Sequence, residues 1–241
     1  PEEHNRRITD HVSSYLFAPT ALNADTLKKE NVWGKIFITG NTIIDACLDY
    51  VPLAMKHSHI DDIIRFEKFV LVTAHRAENV DDQNVLSNFV KVFIQCPFPI
   101  VYPIHPRTIK RLKEYNLYKK LVQHKNVQLI DPVGYFDFLK LMKTCQFILT
   151  DSGGIQEEAT SPNLKKKVFV LRTSTERPEA VKAKYAEVVG TNPEHILKQI
   201  KAFIGNPQIP GKTSPYGSGR SGRKIMDILK HDNSRLSPAK S

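Results

Sequence analysis

The chain has 241 residues, 41% of them hydrophobic and 25% charged, the balance of a soluble globular protein with room for one large or two small packed domains. No apolar run approaches the ~20 residues of a membrane span, and no signal-peptide pattern opens the chain, so a cytoplasmic protein without a membrane partner is expected. A formal net charge of +10 calls for anionic partners without saying which kind. The basic residues are scattered, with clusters at Lys165-Lys166-Lys167 and between Arg220 and Lys230. That distribution favours a solvated basic surface over a nucleic-acid interface, which needs a basic stripe with interleaved aromatics. Cys47, Cys96 and Cys145 are odd in number and form no C-x-x-C pair, so they read as small buried apolar residues in a reducing compartment. His57-Ser58-His59, the one close histidine pair, lacks the ligand set of a zinc site, and no metal is expected.

Pro1-Glu2-Glu3 opens a helix, with Ile8, Val12, Tyr15 and Leu16 as its apolar stripe. A short strand over Tyr15–Ala18 precedes Pro19, and Thr20 caps a helix to about Lys29. Lys35–Thr39 reads as a strand ended by Gly40-Asn41, Thr42 to about Ala54 as a helix, and Lys56–Ile60 as a linker. From Phe66 to Gly205 the alternation is regular. Strands are predicted at Phe69–Thr73, Ile100–Ile104, Val127–Ile130, Phe147–Thr150, Val168–Leu171 and Glu187–Val189. Helices are predicted at Gln83–Ile94, Arg107–Glu114, Tyr135–Thr144, Gly154–Thr160, Pro178–Lys184 and Pro193–Ile204. Continuously apolar strands alternating with helices specify an α/β fold: a doubly wound, Rossmann-like parallel sheet covered on both faces. Asn206–Gly219 reads as a loop, Arg223–Lys230 as a last helix, and the tail 231–241 as disordered.

Ligands of such sheets bind at the carboxyl ends of the strands. Those ends carry Ala74-His75-Arg76, His105-Pro106-Arg107, Asp131-Pro132, Ser152-Gly153-Gly154, and Arg172 with Thr175-Glu176-Arg177-Pro178-Glu179. The run Thr150-Asp151-Ser152-Gly153-Gly154 before a helix start is the layout of an anion site, because glycines let a phosphate reach the first-turn N–H groups. Ser152 donates to such a ligand or simply caps the helix. Glu158, almost two turns in, accepts hydrogen bonds from vicinal hydroxyls such as those of a ribose. The Arg177 guanidinium either forks onto a phosphate or pairs with Glu176 or Glu179. Phe138 either stacks on a base or belongs to the core.

Six ordered motifs carry a resemblance: Pro1-Glu2-Glu3-x-Asn5-Arg6; Phe37-Ile38-Thr39-Gly40-Asn41-Thr42-Ile43-Ile44-Asp45; Thr73-Ala74-His75-Arg76-Ala77-Glu78-Asn79; Ile104-His105-Pro106-Arg107; Thr150–Glu158; and Thr175-Glu176-Arg177-Pro178-Glu179. From Pro1 to about Leu229 the chain resembles the non-hydrolysing UDP-N-acetylglucosamine 2-epimerases. The resemblance implies a GT-B-like, two-domain architecture with the nucleotide in the cleft, UDP-GlcNAc and UDP-ManNAc as ligands, no cofactor, and a homodimer. Carried over by motif, Ser152, Gly153 and Gly154 hold the diphosphate, Glu158 the ribose, Phe138 and Val133 the uracil, and Arg177 lines the nucleotide-sugar site. Glu2, Arg6 and His75 fall at catalytic positions, the plainer alternative for Glu2 and Arg6 being an i, i+4 ion pair. Two departures stand out. The family's early motifs precede Pro1, so 1–56 is expected to be the remnant of an N-terminal Rossmann-like domain plus linker, with 57–230 the complete nucleotide-binding domain. The Pro162–Lys167 loop is longer and more basic than the family's turn. The reading as an epimerase therefore stands beside that of a truncated UDP-sugar-binding remnant without turnover.

Overall fold

The computed structural model describes residues 2–208 and 213–233, with side chains from 3 to 208 and from 213 to 231. In chain order the elements are α1 (Glu2–Val12), β1 (Tyr15–Ala18), α2 (Ala21–Lys29), β2 (Lys35–Ile38), α3 (Thr42–His57), β3 (Val70–Thr73), α4 (Ala77–Val80), α5 (Gln83–Gln95), β4 (Ile100–Pro103), α6 (Pro106–Glu114), α7 (Tyr118–Val122) and β5 (Val127–Ile130). There follow α8 (Tyr135–Thr144), β6 (Ile148–Thr150), α9 (Gly153–Glu158), β7 (Val168–Val170), α10 (Pro178–Lys182), β8 (Ala186–Val188), α11 (Pro193–Gly205) and α12 (Ser221–Asn233). The short α4 and α7 and a 3-10 turn at Ile60–Asp62, which begins at the last residue of the stretch read as linker, are elements that the sequence pattern does not signal. The expected disordered tail lies outside the described residues from 234 onward, while α12 extends through 233. No helix among the described residues is long and apolar enough to cross a membrane.

The larger sheet has six strands in the order β5-β4-β3-β6-β7-β8, all paired in parallel. Its central strands are buried along their whole length, as a sheet covered on both faces requires. Period-2 geometry sorts their side chains into two layers. Val70, Val72, Leu149 and Phe169 face α5 and α11, against Phe89, Phe93 and Ile200. Leu71, Ile148, Val168 and Val170 face α3 and α8, against Cys47, Val51, Leu139 and Met142. Cys47, Cys96 and Cys145 are all buried and unpaired. A second sheet pairs β1 with β2 in parallel, Tyr15 opposite Lys35 through Ala18 opposite Ile38. Leu16, Ala18, Ala24 and Leu27 form their own small core under it.

Helix α3 joins the two bodies and packs its buried face on α8 in the core of the large sheet. It runs to His57 in spite of Pro52, where Ala54 is the predicted end. Proline cannot donate to the carbonyl four residues back, that of Leu48. Asn163 Nδ2 donates to that oxygen instead, at 3.2 Å. The unusual 162–167 loop thus supplies the hydrogen bond that Pro52 removes.

Gly40 sits at the crossing from β2 to α3 with φ +91, and a Cβ there would lie 2.6 Å from Ser221 Oγ and 3.0 Å from the Tyr216 carbonyl. Asn41 N donates to that carbonyl at 2.8 Å, and the Asp45 carboxylate accepts from Ser221 N at 3.1 Å and Gly222 N at 2.8 Å. The crossing is therefore sealed by Tyr216, before α12, and by the first residues of that helix. Gly190 also has a positive φ, +69, but open space around it. Gly190→Ala is expected to cost about 1–2 kcal/mol for its left-handed backbone alone. Gly40→Ala is expected to cost more, because it must also displace Tyr216. Urea unfolding of the two variants checks the order, and equal midpoints would remove Gly40 as the constraint on the crossing.

Candidate functional site

The strand order reverses direction between β3 and β6, and an open α/β sheet binds ligands in the crevice at that point. Two loops meet there: Ala74-His75-Arg76 after β3 and Asp151–Gly154 after β6. The hydroxyls of Thr73 and Thr150, the last residues of the two strands, hydrogen-bond at 2.6 Å. Asp151 is fully buried, and its Oδ2 accepts from His75 N at 2.9 Å, Arg76 N at 2.9 Å and Asn79 Nδ2 at 3.0 Å. Tyr102 and Thr108 donate their hydroxyls to the Ala74 carbonyl, so that the turn is held from three sides.

Ser152 has the extended backbone of an N-cap residue, φ −85 and ψ 131, yet among the described residues its side chain makes no capping bond. Its own N–H donates to Thr150 Oγ1 at 3.0 Å. The first-turn N–H groups of α9, those of Gly153 and Gly154 among them, therefore receive no help from the Ser152 side chain. A chain of polar contacts then places Arg177 above them. Gln156 Nε2 donates to the Ser152 carbonyl at 3.1 Å, Thr175 Oγ1 donates to Gln156 Oε1 at 2.6 Å, and Arg177 N donates to Thr175 Oγ1 at 3.1 Å. A Cβ on Gly153 would lie 3.7 Å from the Arg177 guanidinium carbon. Arg177 Nε is 2.7 Å from Glu157 Oε1, a close charge contact without the alignment of a hydrogen bond. The ion partner of Arg177 is thus Glu157, not the Glu176 or Glu179 that sequence proximity suggests; Glu179 accepts instead from Thr20 Oγ1, at 2.6 Å.

Other strand-end cations are structural. Arg172 pairs with Glu78 at 2.9 Å and Glu176 at 2.7 Å, Arg107 and Arg111 both pair with Asp81, and His105 caps α6. Of the five polar strand ends, those after β3 and β6 are tied together at the crevice, with Arg177 added from the β7–α10 connection.

A cleft of about 950 Å³ separates these loops from α1, β1 and α2. Arg76, Gly153, Glu176 and Arg177 line one wall, and Arg6, Phe17 and Glu30 are among those lining the other. Arg6 is held by Glu3 at 2.8 Å, Asp10 at 2.6 Å and Glu30 at 2.6 Å. The hydrogen bonds from Arg6 and Arg7 hold the Glu3 carboxyl down to about 2. The side chain of Glu2 lies outside the described residues, although its backbone begins α1. Arg76 rather than His75 lines the cleft; the His75 imidazole is half-exposed beside it. Val133 and Phe138 pack, partly buried, against the core at the foot of α8.

Glu158 closes α9 from below and is 9% exposed. Burial first, then the neighbouring Glu157, pushes its carboxyl up to about 7, against a hydrogen bond from Tyr135. Burial likewise raises Glu157, in spite of Arg177. Sequence reasoning missed Asp151, Gln156, Thr175, Glu157 and Tyr135 as parts of the site. Only Asp151, a carboxylate placed directly after a buried strand, left a trace that could have been followed.

The family model for UDP-N-acetylglucosamine 2-epimerase matches residues 1–230, and the chain belongs to that family. It is 42% identical to the UDP-N-acetylglucosamine 2-epimerase of Methanocaldococcus jannaschii, over 95% of this chain and 64% of the relative. It is 38% identical to that of Bacillus subtilis, over 95% of this chain and 61% of the relative. It superposes on the crystal structure of the M. jannaschii enzyme in complex with UDP-GlcNAc and UDP with a TM-score of 0.84, at 43% identity, covering 96% of this chain and 65% of that one. The chain thus spans a little under two thirds of the relatives that it matches, and its GT-B-like α/β fold is theirs.

A carboxyl raised by burial makes stability depend on pH. Below its ordinary value of 4.5 Glu158 is protonated in both folded and unfolded chains; as pH rises toward about 7 the unfolded chain has released a proton that the folded one keeps. The stability contributed by the neutral carboxyl is complete below the lower value and lost as pH passes the upper one. Glu158→Gln is therefore expected to melt higher than the parent at about pH 8, by roughly 2–4 °C for each kcal/mol relieved. The two melting curves should converge near the lower value; a constant gap across the range would show that ionisation is not the cause.

Proposed function

We propose that this chain carries the nucleotide-binding part of a UDP-N-acetylglucosamine 2-epimerase, which interconverts UDP-GlcNAc and UDP-ManNAc by elimination and re-addition of UDP. One observation supports this most directly: Gly153 leaves open the space between the α9 amino terminus and the Arg177 guanidinium. A diphosphate seated there meets backbone N–H groups on one side and a cation on the other. Ser152 and Gly154 complete that seat. Glu158 accepts from the ribose hydroxyls when ionised, and Phe138 and Val133 flank the uracil.

The sugar C2 proton has no adjacent carbonyl and is not acidic in the ground state. As the C1–O bond to UDP breaks, positive charge grows at C1 and the C2 proton becomes removable. Its loss gives a glycal, and protonation from the opposite face with return of UDP inverts C2. Preorganised donors at the leaving diphosphate favour the first step, because they act on charge that grows as the bond breaks. Acid and base groups are needed on both faces of the ring. In this chain Glu2, Arg6 and His75 are the candidates, and the α1 wall with Arg6 faces the diphosphate seat across the cleft. Cytoplasmic residence and a homodimer belong to the same proposal and rest on family membership.

Calorimetric titration of UDP into the chain tests the reading. Gly153→Ala meets Arg177 only at ordinary contact distance, and alanine suits a helix better than glycine, so the fold is expected to be as stable as before or slightly more so. The added methyl occupies the diphosphate seat, and UDP affinity is expected to drop at least tenfold, about 1.4 kcal/mol. An unchanged affinity would refute the seat. UDP binding without C2 inversion, followed by NMR of the sugar, would favour a binding remnant over an enzyme.

A further inference from the structure

The Asp151 carboxylate is used unequally. Oδ2 accepts three hydrogen bonds, from His75 N, Arg76 N and Asn79 Nδ2. Oδ1 is buried and, among the described residues, accepts none. It lies 3.7 Å from His75 Nδ1, at ion-pair range and beyond a hydrogen bond. Neighbouring donors are engaged elsewhere. Asn79 Nδ2 also donates to the Leu171 carbonyl at 3.1 Å, and the Thr150 hydroxyl pairs with Thr73. Lone pairs buried in this way favour a donor, and the imidazole is the group poised to supply one through a small ring movement. Hydrogen bonds of catalytic groups are often long in the unliganded state and tighten when ligand is bound.

We propose that Asp151 is a positioning residue for His75. Its Oδ1 takes the Nδ1–H of the imidazole and so fixes the tautomer in which Nε2, on the far side of a half-exposed ring, keeps its lone pair. The same carboxylate holds the His75 and Arg76 backbone with Oδ2, so one buried group sets both the place of the histidine and its proton. Any effect on catalysis rests on the epimerase reading above; the tautomer does not.

Asp151→Asn gives the sharp test. The variant's carboxamide oxygen takes over the three donors at the Oδ2 position, which turns its NH₂ toward Nδ1. His75 Nδ1 must then accept, and the proton moves to Nε2. Imidazole nitrogens of the 15N-labelled chain, assigned to His75 by comparison with His75→Gln, report this directly at a pH where the ring is neutral. The expected result is an Nδ1–H majority in the parent and an Nε2–H majority in Asp151→Asn. A free imidazole in water prefers Nε2–H, so the parent spectrum decides even where the variant does not fold. An Nε2–H majority in the parent, or Nδ1–H in both proteins, overturns the proposal. UDP titrated into the same samples separates the two readings: failure to bind with the Nδ1–H tautomer intact refutes the nucleotide site and leaves the Asp151–His75 pair standing.

Discussion

A carboxylate without water is a costly group in a protein interior, and it persists where its charge is met by several donors at once. Asp151 meets this condition at the most consequential place in the sheet. It follows β6, and its three donors come from the turn after β3 and the helix α4 behind it. The strands run in parallel and pair directly, but their loops diverge; the carboxylate ties those loops together where the strand order reverses. That tie holds the His75-Arg76 turn beside the start of α9, and a separate polar chain from the Ser152 carbonyl, through Gln156 and Thr175, runs on to Arg177. The short α4 has its explanation here as well, because it brings Asn79 to Asp151 and to the Leu171 carbonyl in a single side chain.

Charge near the cleft is not in surplus, despite the net +10 of the chain. Arg172, Arg107 and Arg111 are committed to carboxylates, and Arg6 is shared among three. Arg177 is held by Glu157, whose carboxyl burial already pushes upward. The overall charge therefore says little about the site, and what faces the cleft beside the α9 start is local: a few backbone N–H groups and the guanidiniums of Arg177 and Arg76, the latter 3.8 Å from Glu176. Such a site favours a compact polyanion that spans both over diffuse binding along a basic surface.

The large sheet was legible because its signal is local and repeated. Apolar runs of strand length alternate with amphipathic stretches, and the predicted elements fall within a few residues of the observed ones from β3 to α11. Four-residue α4 and five-residue α7 escaped because neither is long enough to show a period. The glycine pair after β6 announced itself in the sequence, as a ligand site or an ordinary capped turn alike. The partners of Arg177 did not, since nothing in the sequence places Glu157 rather than Glu176 or Glu179 beneath it. The same limit applies to Pro52 and Asn163, a hydrogen bond lost in one segment and restored from another far along the chain.

The cleft also explains why α1, β1 and α2 matter although they pack around a small core of their own. Parallel strands are usually covered on both faces and flanked by further strands; here β1 and β2 pair only with each other among the described residues. Their link to the rest is polar and local, through Thr20 on Glu179 and through the Gly40 crossing sealed by Tyr216 and Ser221. Glu179 lies on the same short helix that begins just after Arg177. The body that bears Arg6 is thus fastened, two residues from Arg177, to the element that ends the polar chain from Ser152, and the contact helps to set the spacing of the two walls. On the proposed reading, chemistry at a ligand between the walls depends on that spacing, because acid and base groups act only within hydrogen-bond reach of the atom they serve. The Thr20–Glu179 contact and the Gly40 crossing are the described features that set it.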